Sequence, residues 1–160
     1  AELAACAERA GLSIPPGMPG DAVDPWLDLL LTHCIEPHLG QGRLTFVYDY
    51  PASQAALARL RPDDLPPGER FELYLHGVEL ANGFHELGDA DEQARRFEAD
   101  RKDRARRGQP DREPDLRFIA GLAAGLPPCA GVAMGLDRVV MVAAGADSID
   151  DVIAFPVERG

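Results

Sequence analysis

One segment, Cys129–Pro156, constrains the fold and the chemistry of this chain more than any other. Small residues, with glycines at 131 and 135, lead into Leu136-Asp137-Arg138, and an apolar run with helical character follows. Glycines let a flat ligand lie close to the backbone, and an arginine in the first turn of a helix can stack on an aromatic ring or bind phosphate oxygens. The segment therefore predicts a nucleotide site where a strand passes into a helix.

The composition limits the partners that the chain can bind. Its 160 residues suit one domain with a hydrophobic core, and its formal net charge is −11. Because affinity for nucleic acids depends mainly on cationic side chains, this charge argues against a large phosphate-binding surface. A small nucleotide held by a few arginines and a divalent metal is still compatible with it.

The cysteines and the hydropathy pattern favour a cytoplasmic protein. Cys6, Cys34 and Cys129 are odd in number, far apart and without zinc-site spacing, which predicts reduced, buried thiols. No apolar run approaches the length of a membrane span, and no signal peptide is visible. We therefore expect a cytoplasmic location and no membrane partner.

Hydrophobic periodicity and turn residues predict an α+β fold with a mostly antiparallel sheet flanked by helices. Residues 1–42 are predicted to form a helical lead-in, and residues 43–160 to hold the sheet and the C-terminal motif. The expected elements are helix Ala1–Ala10, a helix that begins at Asp24-Pro25, strand Arg43–Tyr50, a hairpin over Arg70–Leu87 that turns at His76-Gly77, helix Asp89–Arg107, helix Asp115–Gly125, strand Cys129–Met134 and a buried helix over Leu136–Ala144.

Two carboxylates, Glu72 and Glu79, flank the turn of the predicted hairpin. Carboxylates on neighbouring strands can share a hard cation such as Mg²⁺, which takes oxygen ligands and often bridges phosphates. Spacing alone favours the simpler alternative of two solvated carboxylates at the edge of a sheet, because charged residues are common on solvent-facing strands.

Asn82, Phe84 and Glu86 have the period-2 spacing that places side chains on one face of a strand. An amide, an aromatic wall and a carboxylate together suit a small ligand with an ammonium group, which Glu86 could bind. The alternative is a core aromatic residue between two polar edges. Strict alternation places Glu79 on the opposite face from Asn82, so one shared site requires a β-bulge between them, which neighbouring Gly83 makes plausible.

These motifs together resemble a known family. The octapeptide Gly131-Val-Ala-Met-Gly-Leu-Asp-Arg138 resembles the third signature motif of class II aminoacyl-tRNA synthetases of the lysyl type. Ser148–Pro156 resembles the segment that follows that motif, and Arg70–Leu87 resembles the lysine-binding hairpin. With Gln93 and Phe97, the resemblance covers most of residues 70–156.

Within this group the chain is more similar to the elongation factor P lysine ligases, which are paralogues of the tRNA synthetases. Tyr50-Pro-Ala-Ser-Gln-Ala-Ala-Leu resembles the ligases, and Ala133 stands where the synthetases usually have glycine. A methyl group at that position would reshape the floor of the amino-acid pocket and could change the preferred lysine isomer. Ligases of this type activate lysine, as β-lysine, and attach it to a lysine of elongation factor P.

The resemblance also implies a role for each matching residue. Glu72 and Glu79 would bind the Mg²⁺ of Mg²⁺–ATP, and Asn82, Phe84, Glu86 and Ala133 would form the lysine or β-lysine pocket. ATP would contact Glu79, Leu80, Gly135 and Arg138, with Arg138 as the catalytic arginine that packs on adenine and meets the phosphates. The expected partners are the amino acid and elongation factor P, without tRNA, and the full-length protein is expected to be a homodimer.

The first and second motifs of the family are not recognisable in this chain. We expect both upstream of Ala1, so that the chain is a C-terminal portion of a catalytic domain and inactive alone. Two other functions stay open on the sequence. One is a lysyl-tRNA synthetase that charges tRNA, and the other is a non-catalytic paralogue that keeps the fold as a binding module.

Overall fold

Helices and an antiparallel sheet form an α+β fold in the computed structural model, which describes residues 2–20 and 22–156. The four strands of the sheet lie in the order β1-β2-β3-β4. The described ranges contain α1 (Glu2–Arg9), α2 (Asp24–Leu30), β1 (Thr45–Tyr50), β2 (Gly68–Leu75), β3 (Val78–His85), α3 (Ala90–Arg106), α4 (Leu116–Ala123), β4 (Ala130–Met134) and α5 (Leu136–Ala144). The predicted fold class is therefore confirmed.

The chain forms two compact units. The first comprises Ala1–Tyr48, Phe71–Gly83 and Val132–Gly160, and the second comprises Asp49–Arg70 and Phe84–Gly131. In the first unit the buried side chains include Trp26, Tyr74 and Leu80, and in the second they include Tyr50, Ala58 and Leu122. None of the helices in the described ranges is long and apolar enough to cross a lipid bilayer.

The hairpin of β2 and β3 turns at the predicted dipeptide. His76 and Gly77 have φ angles of 52° and 74°, the left-handed pair that a two-residue type I′ turn requires. Their N–H groups donate to the carbonyl oxygens of Gly40 and Leu39, at 3.0 and 2.8 Å. Gly40 itself has a φ of 71°, and a Cβ there would overlap the backbone of Leu75, so only glycine fits. The segment after α2, a π-helical turn over Leu31–Ile35 and a 3₁₀ turn over Glu36–His38, is thereby fixed to the hairpin.

The caps of α3 and α4 follow the sequence signals. The Asp89 carboxylate accepts a hydrogen bond from the N–H of Glu92 and so caps α3. Asp115 caps α4 in the same way, through the N–H groups of Arg117 and Phe118. The two helices pack through the rings of Phe97 and Phe118, whose centroids are 6.1 Å apart.

The predictions for α5 and for the cysteines were each wrong in one respect. Helix α5 has the predicted bounds, but none of its residues is buried, and Leu136 and Val140 are 70% and 45% exposed. An apolar composition shows that a helix can be buried, but burial also requires a second surface that packs against it. Among the described residues, no such surface covers Leu136. The three cysteines are free, as expected, but they are half-buried rather than buried.

An ionic cluster in the second unit makes a testable contribution to stability. Glu69 accepts a short hydrogen bond from Arg59 Nε, and its Oε2 lies 3.2 Å from His85 Nδ1. The hydrogen bond from Arg59 is the main cause that holds the pKa of the Glu69 carboxyl below its ordinary value. Because the folded-state pKa is depressed, the stabilisation is complete above the unfolded pKa of about 4.3 and is lost as the pH falls through the folded value.

Replacing Glu69 with glutamine is therefore expected to lower Tm at pH 7 by no more than about 4 °C, because partly exposed ion pairs contribute little. The difference from the wild type should shrink as the pH falls from 5 towards 3. Thermal unfolding followed by circular dichroism at pH 7, 5, 4 and 3 measures it. Glu8→Gln, at an exposed position of α1, is the matched control. A difference in Tm that is the same at all four pH values would show that the Glu69 charge is not its source.

Candidate functional site

Arg138 and Glu79, which the resemblance assigns to ATP, are in contact in the first unit. Arg138 lies in the first turn of α5, and its Nη1 donates to the Glu79 carbonyl oxygen at 2.9 Å. The same nitrogen lies 3.4 Å from Glu79 Oε2. Both side chains remain accessible, at 48% exposure for Arg138 and 35% for Glu79. The guanidinium is thus oriented by a backbone carbonyl while most of its donors still face solvent, where an anion can reach them.

Leu80 and Gly135 also lie together. The Gly135 N–H donates to the Leu80 carbonyl oxygen at 2.9 Å, which joins the end of β4 to β3 and sets the start of α5. A Cβ added to Gly135 would meet only the side chain of Arg138, at 3.4 Å or more, and the φ angle of Gly135 is −75°. The fold therefore does not demand glycine at this position, which leaves close approach of a ligand as a reason for it.

Glu72 is a buried carboxylate that accepts hydrogen bonds from Tyr74 and Asn82. It is 7% exposed, and it accepts hydrogen bonds from Tyr74 Oη at 2.6 Å and from Asn82 Nδ2 at 3.2 Å. Tyr74 Oη lies 3.2 Å from Glu36 Oε1 as well, but a phenol has one proton, and the shorter distance assigns it to Glu72. A carboxylate held in this way is not the solvated edge residue of the simpler alternative.

The burial of the β3 side chains does not alternate strictly between Glu79 and Asn82. Leu80 and Ala81 are both buried, at 6% and 3% exposure, so the alternation of the strand breaks there. Asn82 Nδ2 nevertheless reaches the Glu72 carboxylate on β2. The β-bulge that one site shared with Glu79 would require stays a prediction.

Asn82 has an unsatisfied acceptor. Its Nδ2 is committed to Glu72, while its Oδ1 is buried and has no hydrogen-bond partner among the described residues. A buried carbonyl oxygen without a donor costs free energy, and a ligand N–H would satisfy it. This arrangement fits the predicted contact of Asn82 with an amine.

In the second unit, Glu86 follows directly after β3. Its N–H donates to the Cys129 carbonyl oxygen at 3.0 Å, and its carboxylate lies over the Cα of Gly131. No described residue forms an ion pair or a hydrogen bond with the Glu86 side chain, so the carboxylate is available to a ligand. Phe84 is half-buried in β3, and Ala133 is exposed in β4.

Mg²⁺ suits the donors that the chain offers, since Glu72 and Glu79 supply hard oxygen ligands. Within the described ranges no three His, Cys, Asp or Glu side chains come together as a complete metal-binding set. A cation there would rely on these two carboxylates and on oxygens from phosphate or water, which is the usual way that Mg²⁺ binds beside a nucleotide.

Tyr74 is a functional candidate that the sequence reasoning missed. It is 1% exposed and fixes the Glu72 carboxylate through its hydroxyl. The sequence does indicate that Tyr74 lies near Glu72, because Tyr74 follows Glu72 by two residues and a strand places such residues on one face. Glu36, the other neighbour of the hydroxyl, comes from the lead-in, and no local pattern connects it with the hairpin.

Known proteins similar to this chain indicate its family. Residues 33–159 match the family model of the class II tRNA synthetases (D, K and N). The chain is 57% identical over 136 residues to a protein of Klebsiella pneumoniae subsp. pneumoniae named elongation factor P–(R)-β-lysine ligase, and 56% identical over 136 residues to a protein of the same name from Salmonella gallinarum. The matches cover 85% of this chain, which spans 42% of the length of each of these relatives. The chain belongs to the class II tRNA synthetase family that comprises the D, K and N enzymes.

Proposed function

We propose that the protein activates lysine or β-lysine with ATP and transfers the acyl group to a lysine of elongation factor P. The observation that carries this proposal is the 57% identity, over 136 residues, to a protein named elongation factor P–(R)-β-lysine ligase. The geometry of the hairpin supports it, because an accessible arginine, two carboxylates and an unsatisfied amide oxygen suit a nucleotide and an amine.

The proposed activation joins a carboxylate oxygen of the amino acid to the α-phosphorus of ATP. The bond from that phosphorus to the bridging oxygen breaks, and pyrophosphate leaves. Arg138, oriented by the Glu79 carbonyl, would stabilise the negative charge that develops on the phosphates. Glu72 and Glu79 would hold Mg²⁺, which neutralises phosphate charge when it is bound. The acceptor amine then attacks the acyl carbon, AMP leaves, and an amide forms, so no protein nucleophile is required.

Recognition of the amino acid would depend on charge. The Glu86 carboxylate has no protein partner in the described ranges and would pair with the ammonium group of the substrate. Asn82 would accept a hydrogen bond from an amino group through Oδ1, which Glu72 orients by holding Nδ2. Phe84 would pack along the methylene chain. Ala133 would shape the pocket floor and so bear on the choice of lysine isomer.

A second candidate is a lysyl-tRNA synthetase, because the matching family model includes the K enzymes. Both candidates form an aminoacyl-adenylate, so the acceptor is what separates them most clearly. We expect the complete protein, supplied with ATP and ¹⁴C-labelled lysine or β-lysine, to label elongation factor P and to leave tRNA unlabelled. Labelled tRNA with unlabelled elongation factor P would establish the second candidate instead. We also propose that the 160-residue chain by itself gives no labelling of either acceptor.

A further inference from the structure

We infer that Gly131 is a positioning residue for the Glu86 carboxylate, and this inference rests on the proposed function. An ideal Cβ built on Gly131 would overlap Glu86 Oε1 and lie 3.5 Å from Glu86 Cδ. The Glu86 carboxylate can therefore occupy its observed position only because residue 131 has no side chain. Gly131 was expected to let a ligand approach the backbone, whereas the structure fills that space with a carboxylate of the protein.

The backbone conformation of Gly131 is one that any residue can adopt. The reason for glycine at this position is therefore the space beside its Cα and not its backbone angles. Gly131 lies within β4, and its φ angle is outside the left-handed region that favours glycine. Alanine can adopt the same backbone, so a substitution there should not strain the strand. The colliding atom is the far end of a flexible side chain, and an added methyl group should displace it without unfolding the protein.

Glu86 is held at this place by its backbone on two sides. Its N–H donates to the carbonyl oxygen of Cys129, directly before β4, and residue 86 forms an antiparallel bridge with Ala58. The backbone can therefore move little, and a methyl group at residue 131 would change mainly the χ angles of Glu86. The carboxylate would then lie away from the position in which it meets the substrate ammonium.

Gly131→Ala in the complete protein is expected to raise the KM for lysine or β-lysine in pyrophosphate exchange by about 10- to 100-fold, because positioning errors of this size weaken an ionic contact strongly. The kcat and the KM for ATP should change little. Gly121→Ala is the matched control, since residue 121 is exposed in α4 and a Cβ there meets nothing within 4 Å. Tm values no lower than that of the wild-type protein would show that neither variant disturbs folding.

A double-mutant cycle with Glu86→Asp tests the contact itself. Aspartate is shorter by one methylene, so its carboxylate ends before the added methyl group, and Gly131→Ala should cost nothing further in that background. Additive losses would overturn the inference, as would a Gly131→Ala variant that behaves like Gly121→Ala. If the wild-type protein shows no amino-acid-dependent exchange, both the proposed function and the inference are contradicted. If the wild-type protein shows exchange and Gly131→Ala has the same KM for the amino acid, the inference alone is contradicted.

Discussion

Replacement of Glu86 by glutamine in the complete protein is expected to raise the KM for lysine or β-lysine about 30- to 900-fold. This corresponds to about 2–4 kcal/mol, the usual cost of removing one charge from a desolvated, hydrogen-bonded pair. Glutamine keeps the size and the shape of the side chain, so the effect should come from the charge. Amino-acid-dependent pyrophosphate exchange at saturating ATP measures it.

Two comparisons make the Glu86 experiment specific. Glu113→Gln removes a carboxylate from an exposed position in the same unit and should leave the KM unchanged. Norleucine, which lacks the side-chain ammonium, should bind the wild-type protein and the Glu86→Gln variant with similar, low affinity. An unchanged KM for lysine in the Glu86→Gln variant would remove Glu86 from the ammonium site.

Replacement of Arg138 by alanine is expected to lower kcat/KM for ATP about 100- to 1000-fold, because an oriented donor that faces developing phosphate charge contributes about 3–4 kcal/mol. The wild-type guanidinium is held by the Glu79 carbonyl at 2.9 Å and needs little reorganisation to meet a phosphate. Since half of the side chain is exposed, the Tm should fall only slightly. Exchange measured against ATP concentration, together with thermal unfolding, separates the two effects.

Arg138→Lys provides a graded comparison. Lysine keeps the charge but loses the planar fork that can stack on a ring and donate two parallel hydrogen bonds, so we expect recovery of only part of the lost activity. Arg112→Ala, at an exposed arginine of the second unit, is the control for loss of positive charge. Full activity of Arg138→Ala would exclude the arginine from catalysis.

Local signals predicted most of the secondary structure in this chain. Asp89 and Asp115 mark helix starts because a carboxylate accepts the free N–H groups of a first turn, and His76-Gly77 marks a hairpin because its backbone needs positive φ angles. The bounds of α5 followed from its sequence in the same way. Its exposure did not, because burial depends on surfaces far away in the chain.

The site could be predicted in part. The resemblance assigned Glu79 and Arg138 to one ligand, and these two residues are in contact. The shared face of Asn82, Phe84 and Glu86, and the bulge that one site with Glu79 requires, stay predictions. The partners of the functional groups could not be predicted, because they come from other segments: Tyr74 and Glu36 beside Glu72, and Gly131 beside Glu86. Such contacts depend on tertiary packing, which no single stretch of sequence encodes.

Pyrophosphate exchange by the complete protein, with lysine and β-lysine supplied separately, tests the proposed adenylation most directly. ³²P-labelled pyrophosphate should enter ATP only when one of these amino acids and Mg²⁺ are present, and Arg138→Ala should abolish nearly all of the exchange. No exchange with either amino acid would contradict amino-acid activation and would favour a paralogue that keeps the fold as a binding module.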